Sequence, residues 1–252
     1  VMVERRAPEP MIPLSLFSNR TVVLLLIVSI ASGSIAIGMV NYLALFLQTV
    51  HGLSPTAAGL FFIPVTIGLA VGALTGGRLM SITGRYRPFA ILGLSISTLA
   101  FATLSLFAAS APLALMAVIL GLHGLGIGFG QQVPVLGVQN AARRGDVGAA
   151  TGTVTLSRMV GASAGISIYG AILAHGLGRS APIPGVGSLT ELSPTAIAAL
   201  PEPARALAIG GYGDTFTMLF MFAAVVCLIG LVAALALRPL LLGAPAKAGS
   251  SA

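Results

Sequence analysis

Charge is scarce in this sequence: Asp, Glu, Lys and Arg make up 8% of 252 residues, against about 25% in a soluble domain. With 56% of residues hydrophobic, that shortage excludes an ordinary soluble domain and places the chain in a membrane. Cysteine is nearly absent too. The one cysteine, Cys227, lies in an apolar run and excludes an internal disulfide framework or a cysteine metal cluster. Acid is scarcer than base, six Asp and Glu against 13 Lys and Arg, and none of the acids falls inside an apolar segment. The 32 Gly and 15 Pro sit within apolar runs as well as between them, which suits membrane helices and argues against disorder.

A spanning helix needs about 20 mostly apolar residues. Six segments qualify, near 21–48, 56–80, 88–109, 112–138, 148–177 and 214–237. Assigning alternate joints to the two sides puts Arg5, Arg6, Arg20, Arg78, Arg85, Arg87, Arg143, Arg144, Arg238 and Lys247 on one face. The other receives only Arg179 and Arg205, and Arg158 lies within a span. The positive-inside rule makes the basic face cytoplasmic. The predicted organisation is a cytoplasmic linker over 1–20, a six-helix membrane domain over 21–238 with an external loop at 178–213, and a cytoplasmic tail over 239–252. That is a multi-pass protein of the cell (inner) membrane with both ends cytoplasmic. Topology accounts for the net charge of +7, so nucleic acid is not an expected partner.

The first span is too long for a signal peptide, whose apolar core runs to about 15 residues. The stretch before it, VMVERRAPEP, reads as an interhelix loop, so the chain is expected to be the later part of something longer. In the external joint, SPTAIAALPEPARALAIGG predicts a short surface helix interrupted at Pro201 and Pro203. Asp214 then reads as the N-cap of the last span.

Small residues recur every four positions in two spans, at Gly68, Gly72 and Gly76 and at Ser157, Gly161 and Gly165. Such ladders let helix backbones approach closely. GASAG at 161–165 matches the G-x-S-x-G elbow of serine hydrolases in form. The elbow needs a strand, a turn and a helix, however, and this copy lies inside one apolar helix. Gly124, Gly126, Gly128 and Gly130 fail the dinucleotide pattern, because Phe129 stands where a glycine is required. No cofactor, metal or catalytic residue is indicated.

Arg158 is the exception in this pattern. An arginine at mid-helix costs about 2.5–3.5 kcal/mol on insertion scales. It shares a helix face with Ala162, Gly165 and Tyr169, so that face is expected to point into protein. Gln131 and Gln132 of the preceding span lie at matching depth, and the predicted arrangement is Arg158 hydrogen-bonded to one of these glutamines at a water-accessible cavity. Snorkelling of the side chain to the headgroups is the competing reading. Asn41, Tyr42, Gln48 and His123 are further polar groups within spans. Each suffices as interhelical glue, and His123 reads as a packing residue rather than a proton relay.

A family resemblance follows from particular residues. YLALFLQTVHGLSPTAAGLFFIP at 42–64 resembles the junction of the first two helices in the C-terminal half of major facilitator superfamily carriers, above all the fourteen-helix drug/proton antiporter group. Tyr42, Leu47, Gln48, Gly52, Ser54, Pro55, Gly59 and Pro64 carry the likeness. GGRLMSITGRYRP resembles the superfamily's cytoplasmic loop motif through Gly77, Leu79, Gly84, Arg85 and Arg87, with Ser81 in place of the usual acid. RMVGASAGISIYGAIL at 158–173 is similar to the group's penultimate helix. The resemblance implies an all-α integral membrane fold, six helices forming one half of such a carrier as a 3+3 inverted repeat. It implies alternating access and proton-coupled efflux of amphipathic organic compounds. The partners implied are a small-molecule substrate, protons, the lipid bilayer and a missing N-terminal half that holds the proton-binding carboxylate. Substrate contacts are expected at Asn41, Tyr42, Gln131, Gln132, Arg158 and Tyr169, and gating at Gly77, Gly84, Arg85 and Arg87. An intramembrane serine hydrolase using Ser163 with His175 or His123, and a non-transporting membrane scaffold, are the alternatives.

Overall fold

The computed structural model describes residues 17–142, 144–180, 183 and 188–238. The linker before Phe17, the tail beyond Arg238, Arg143 and most of 181–187 lie outside these. Among the described residues, six helices are long and apolar enough to cross a membrane. We label the helices α1 (Arg20–Thr49), α2 (Pro55–Thr83), α3 (Arg87–Phe107), α4 (Leu113–Ala141), α5 (Val147–Gly178), the short α6 (Pro194–Ala198) and α7 (Ala204–Ala236).

Local chemistry sets the boundaries. The Asn19 side chain accepts from the Thr21 N–H at 2.9 Å and starts α1. Ser54 does the same for Ala57, with Pro55 in the first helical turn, and opens α2. Gly84 ends α2 in the left-handed region at φ 66°, where a side chain would be strained. In the joint between α5 and α7, Ser193 and Pro194 start α6, a short helix where the sequence predicts one.

The last span corrects the sequence reading. α7 begins at Ala204, after Pro203, so Asp214 stands ten residues inside the helix and is no N-cap. The run ARALAI is a strong helix former behind a proline start, and it carries the helix through Gly210, Gly211 and Gly213 despite their poor propensity. Thirty-three residues make α7 about 50 Å long, well beyond the ~30 Å hydrocarbon core. Gly213 lies against Ala109 of the α3–α4 turn, so exposed Asp214 sits at that end of the bundle.

The principal contacts repeat between chain halves. α2 packs on α4 as α5 packs on α1; α3 packs on α4 as α7 packs on α1; α3 and α7 pack on each other. Exchanging α1–α3 with α4, α5 and α7 therefore maps the main interfaces onto one another, as a 3+3 repeat requires. The glycine ladders are those interfaces. A methyl group on Gly68 would meet the Gly121 carbonyl oxygen and one on Gly72 the Leu125 carbonyl oxygen; one on Gly161 would meet the Ile30 carbonyl oxygen. Between Phe62 and Thr83, α2 buries only Gly72, Gly76 and Met80. Its attachment is backbone against backbone.

The core lies between α1, α3 and α7, where the Phe46 ring stands 5.1 Å from both Phe216 and Phe220. At one end of the bundle His51 Nε2 bonds the Ala108 carbonyl at 3.0 Å, joining two turns on the same side. At the basic end Arg87 Nη2 donates to the Leu235 carbonyl at 2.7 Å, tying the start of α3 to the last turn of α7.

Candidate functional site

Two helices lose their regular ladder near the middle of the bundle. α1 widens into a π-helical turn over Ser34–Gly38. It lies against α5: a methyl on Gly33, just before this turn, would meet the Arg158 carbonyl oxygen, and one on Gly38 would stand 3.3 Å from the Ala162 carbonyl oxygen. π-Turns of this kind are frequent at functional sites. α4 breaks at Gln131–Gln132 and resumes at Val133. Pro134, which lacks an N–H, removes the partner of the Gly130 carbonyl and crowds the preceding turn. Backbone bonds around the break run from the Gln131 N–H to Ile127 and from the Leu136 N–H to Gln132. The Gln131 carbonyl takes its hydrogen bond from another helix.

That donor is Arg158, whose Nη2 lies 2.8 Å from the Gln131 carbonyl oxygen. The contact is to the glutamine backbone, not to the side chain expected from sequence. Its cause is the break, since a carbonyl released from the ladder in a membrane must find another donor. The first stretch of α4 also ends there, so the guanidinium meets the negative end of a helix dipole. Arg158 is eleven residues into α5, about 16 Å from its basic end. It is half-buried, and its Nε is buried with no hydrogen-bond partner. The side chain crosses to α4 instead of reaching for the headgroups, and Gly161, Ala162, Gly165 and Tyr169 on its face are all buried.

Beside the guanidinium is a recess of about 40 Å³ between α1, α3, α4 and α5, with polar lining from Ser32, Ser97, Gln131 and Arg158. By volume it holds roughly two or three waters. A second hollow of about 30 Å³ adjoins it through Ile35, Ala36 and Ile127 and is lined by His123 and Phe101. His123 Nδ1 pairs with Ser97 Oγ at 3.2 Å, and its ring lies 4.6 Å from that of Phe101. The packing role expected for His123 is thus the one its surroundings provide.

The remaining candidates divide. Gln131 adjoins the recess; Gln132 and Asn41 are exposed, with Asn41 one turn beyond Ile37 of its rim. Tyr42 is half-buried and its hydroxyl donates to the Ile166 carbonyl at 2.7 Å. Tyr169 is fully buried, its hydroxyl paired with Ser34 Oγ at 2.9 Å and its ring edge-on to Tyr42, so it stands behind Tyr42, away from the recess. At the basic end, Gly84 ends α2, Arg87 clamps α7, and Gly77 and Arg85 are exposed. Between them Tyr86 is fully buried with its hydroxyl unpaired, and burial raises its pKa.

Hydrolase geometry is not met. Ser163 and His175 lie twelve residues apart on the one helix α5, about 18 Å, and His123 is committed to Ser97. Among the described residues no cluster of His, Cys, Asp or Glu could hold a metal.

Sequence reasoning missed Ser32, Ser34 and Ser97. A serine in a membrane helix commonly bonds its own preceding turn, and nothing in its spacing marks one that reaches across. The α4 break did have a signal, because Pro134 removes the donor of the Gly130 carbonyl and interrupts the ladder next to Gln131.

Comparison with known proteins gives a consistent picture. A model of the Major Facilitator Superfamily matches residues 3–166. An uncharacterized MFS-type transporter of Mycobacterium tuberculosis is 33% identical over 247 residues, which cover 94% of this chain and 35% of the relative. The tetracycline resistance determinant of Streptomyces rimosus is 33% identical over 180 residues, 71% of this chain and 52% of its own length. The multidrug transporter protein MdtP of Bacillus subtilis is 25% identical over 173 residues, 69% of this chain and 32% of its own. The chain thus spans about a third to a half of the length of these relatives.

Proposed function

The chain belongs to the Major Facilitator Superfamily, and from that premise we propose that it is one six-helix wall of a secondary active exporter. The exporter moves amphipathic organic compounds against a proton gradient by alternating access, in the cell (inner) membrane with its basic face cytoplasmic. The observation that carries this reading is the juxtaposition of Arg158, the interrupted middles of α1 and α4, and a polar recess. Interrupted helices at equivalent places in two repeats are the usual surroundings of a transport site. Relatives named for tetracycline resistance and multidrug transport support the substrate class.

In this reading Asn41, Tyr42, Gln131, Gln132 and Arg158 face the substrate. Tyr169 holds Tyr42 and Ser34 in place from behind. Arg87, with Gly77 near the end of α2 and Gly84 and Arg85 in the α2–α3 loop, ties this region to α7 so that the basic end moves as a unit. Among the described residues no acid lies deep in a span, so the proton-binding carboxylate belongs to the additional length that the relatives possess.

The test is flux in proteoliposomes containing the full gene product. An imposed pH gradient should drive accumulation of ethidium or an anionic dye, and collapsing the gradient should abolish it. No gradient-dependent flux of either dye would refute the carrier.

A further inference from the structure

The guanidinium of Arg158 is only partly answered by its surroundings. It has five N–H donors; one bonds the Gln131 carbonyl at 2.8 Å, and Nε is buried without a partner. The helix end at Gln131 offsets about half an elementary charge at most. No Asp or Glu of the described residues lies near it in sequence or depth: Asp146 starts α5 at the basic end, and Glu202 and Asp214 are at the opposite end. The remaining positive charge therefore faces the recess lined by Ser32, Ser97 and Gln131. The Ser32 hydroxyl and Gln131 provide donors that an anion accepts from, while apolar Ile35, Ile37 and Leu94 of the same lining suit an attached hydrocarbon.

We propose that this recess is a subsite for a carboxylate or similarly compact anionic group, bound by Arg158. The proposal rests on the carrier reading for how a ligand arrives. Two sources share this chemistry: the anionic head of an amphipathic substrate, or an acidic side chain from elsewhere in the full-length protein. Room exists for the group, because Gly130 lines the recess and a methyl added there would meet nothing within 4 Å.

The charge of the recess can be read with thiol reagents. Ser32, half-exposed on its wall, is replaced by cysteine (Ser32→Cys) in the full-length protein in membranes; Cys227 is fully buried, and the parent protein, labelled in parallel, gives the background rate that is subtracted. The rates of modification by an anionic and a cationic methanethiosulfonate are then compared, alone and with Arg158→Gln or Arg158→Lys. The subsite predicts that Arg158→Gln lowers the anionic-to-cationic rate ratio at least fivefold, while Arg158→Lys preserves most of it. If the substrate supplies the anion, the unmodified site prefers the anionic reagent, and decanoate, but not neutral decanamide, slows labelling. If a protein carboxylate supplies it, the starting ratio is near one, decanoate has no effect, and Arg158→Gln makes the site prefer the cationic reagent. A ratio unchanged by Arg158→Gln overturns the proposal under either source. Gly130→Ala, which narrows the recess without a clash, should weaken decanoate protection; equal protection by decanoate and decanamide would also overturn a substrate subsite. Gradient-driven dye flux in the same membranes is scored separately, so loss of the subsite and loss of the carrier reading are distinct results.

Discussion

Gly161→Ala and Gly152→Ala place the same added methyl group on one helix, α5, and should have different outcomes. At Gly161 the methyl falls on the Ile30 carbonyl oxygen of α1, with the Ile30 carbonyl carbon and Cα each 2.7 Å away; at Gly152 it meets nothing within 4 Å. Both substitutions gain about 1 kcal/mol of helix propensity and reduce unfolded-state entropy alike, so the difference between them isolates the steric term. The obstacle is backbone, which cannot rotate aside, and α1 and α5 must part along their closest seam. Overpacking of this kind costs about 1–3 kcal/mol, with a further loss of dispersion along the interface that substitutes for a hydrophobic drive in lipid. Thermal unfolding of both variants in lipid nanodiscs, followed by circular dichroism, should place Gly161→Ala below Gly152→Ala by that margin, with Gly152→Ala at or above wild type. Equal midpoints would show that the glycine ladder is not the contact holding α5 to α1.

Three further outcomes follow from the same geometry. Arg158→Ala removes a charge-assisted hydrogen bond of about 1.5–3 kcal/mol but also an insertion cost of about 2.5–3.5 kcal/mol; these nearly cancel, so insertion and unfolding midpoint should stay near wild type while efflux falls sharply, and normal efflux would reduce the arginine to a structural cap. Pro134→Ala returns an N–H to the Gly130 carbonyl and relieves a penalty of up to about 3 kcal/mol; the protein should become more stable and transport less well, whereas undiminished dye flux would show that the α4 break serves no transport step. Arg87→Ala breaks the 2.7 Å bond to the Leu235 carbonyl and should lower stability by about 1–2 kcal/mol, with Arg87→Lys intermediate; an unmoved midpoint in thermal unfolding would show that the clamp on α7 is idle.

The spans were legible because lipid imposes a length and a composition, and five of six helix starts fall within one residue of the expected places. The sixth was misread at Asp214, since a carboxylate before an apolar run is a cap signal only where the chain is not already helical, and ARALAI had already begun the helix. Glycine spacing identified which helices touch, because a four-residue period is a property of one face. It could not name the partners, which depend on how α2 and α5 are set against α4 and α1. For Arg158 the sequence supplied depth and face but not the acceptor. A glutamine side chain is visible in a sequence, while a backbone carbonyl becomes available only when a proline further along breaks the ladder, and that consequence of Pro134 has to be reasoned from geometry.

The presence of an arginine at this depth is still more than the break in α4 requires. A released carbonyl is ordinarily satisfied by a serine or threonine hydroxyl, or by water in a polar recess, at little cost to insertion. Hydroxyls do reach carbonyls across helices in the same bundle: Ser29 Oγ donates to the Val154 carbonyl at 2.9 Å across the α1–α5 seam, and Tyr42 reaches the Ile166 carbonyl. Arg87 caps a helix end as Arg158 does, but at the basic end of the bundle, beside water and headgroups, where a guanidinium costs little. Among the described residues only Arg158 brings a full charge to the middle of the bundle as such a cap, at an insertion cost of about 2.5–3.5 kcal/mol against about 1.5–3 kcal/mol for its charge-assisted hydrogen bond. The two nearly cancel, so the cap gains nothing that a hydroxyl would not supply without the insertion cost. What a hydroxyl would lack at this position is the charge, and the polar recess on the other side of the guanidinium is where that charge acts.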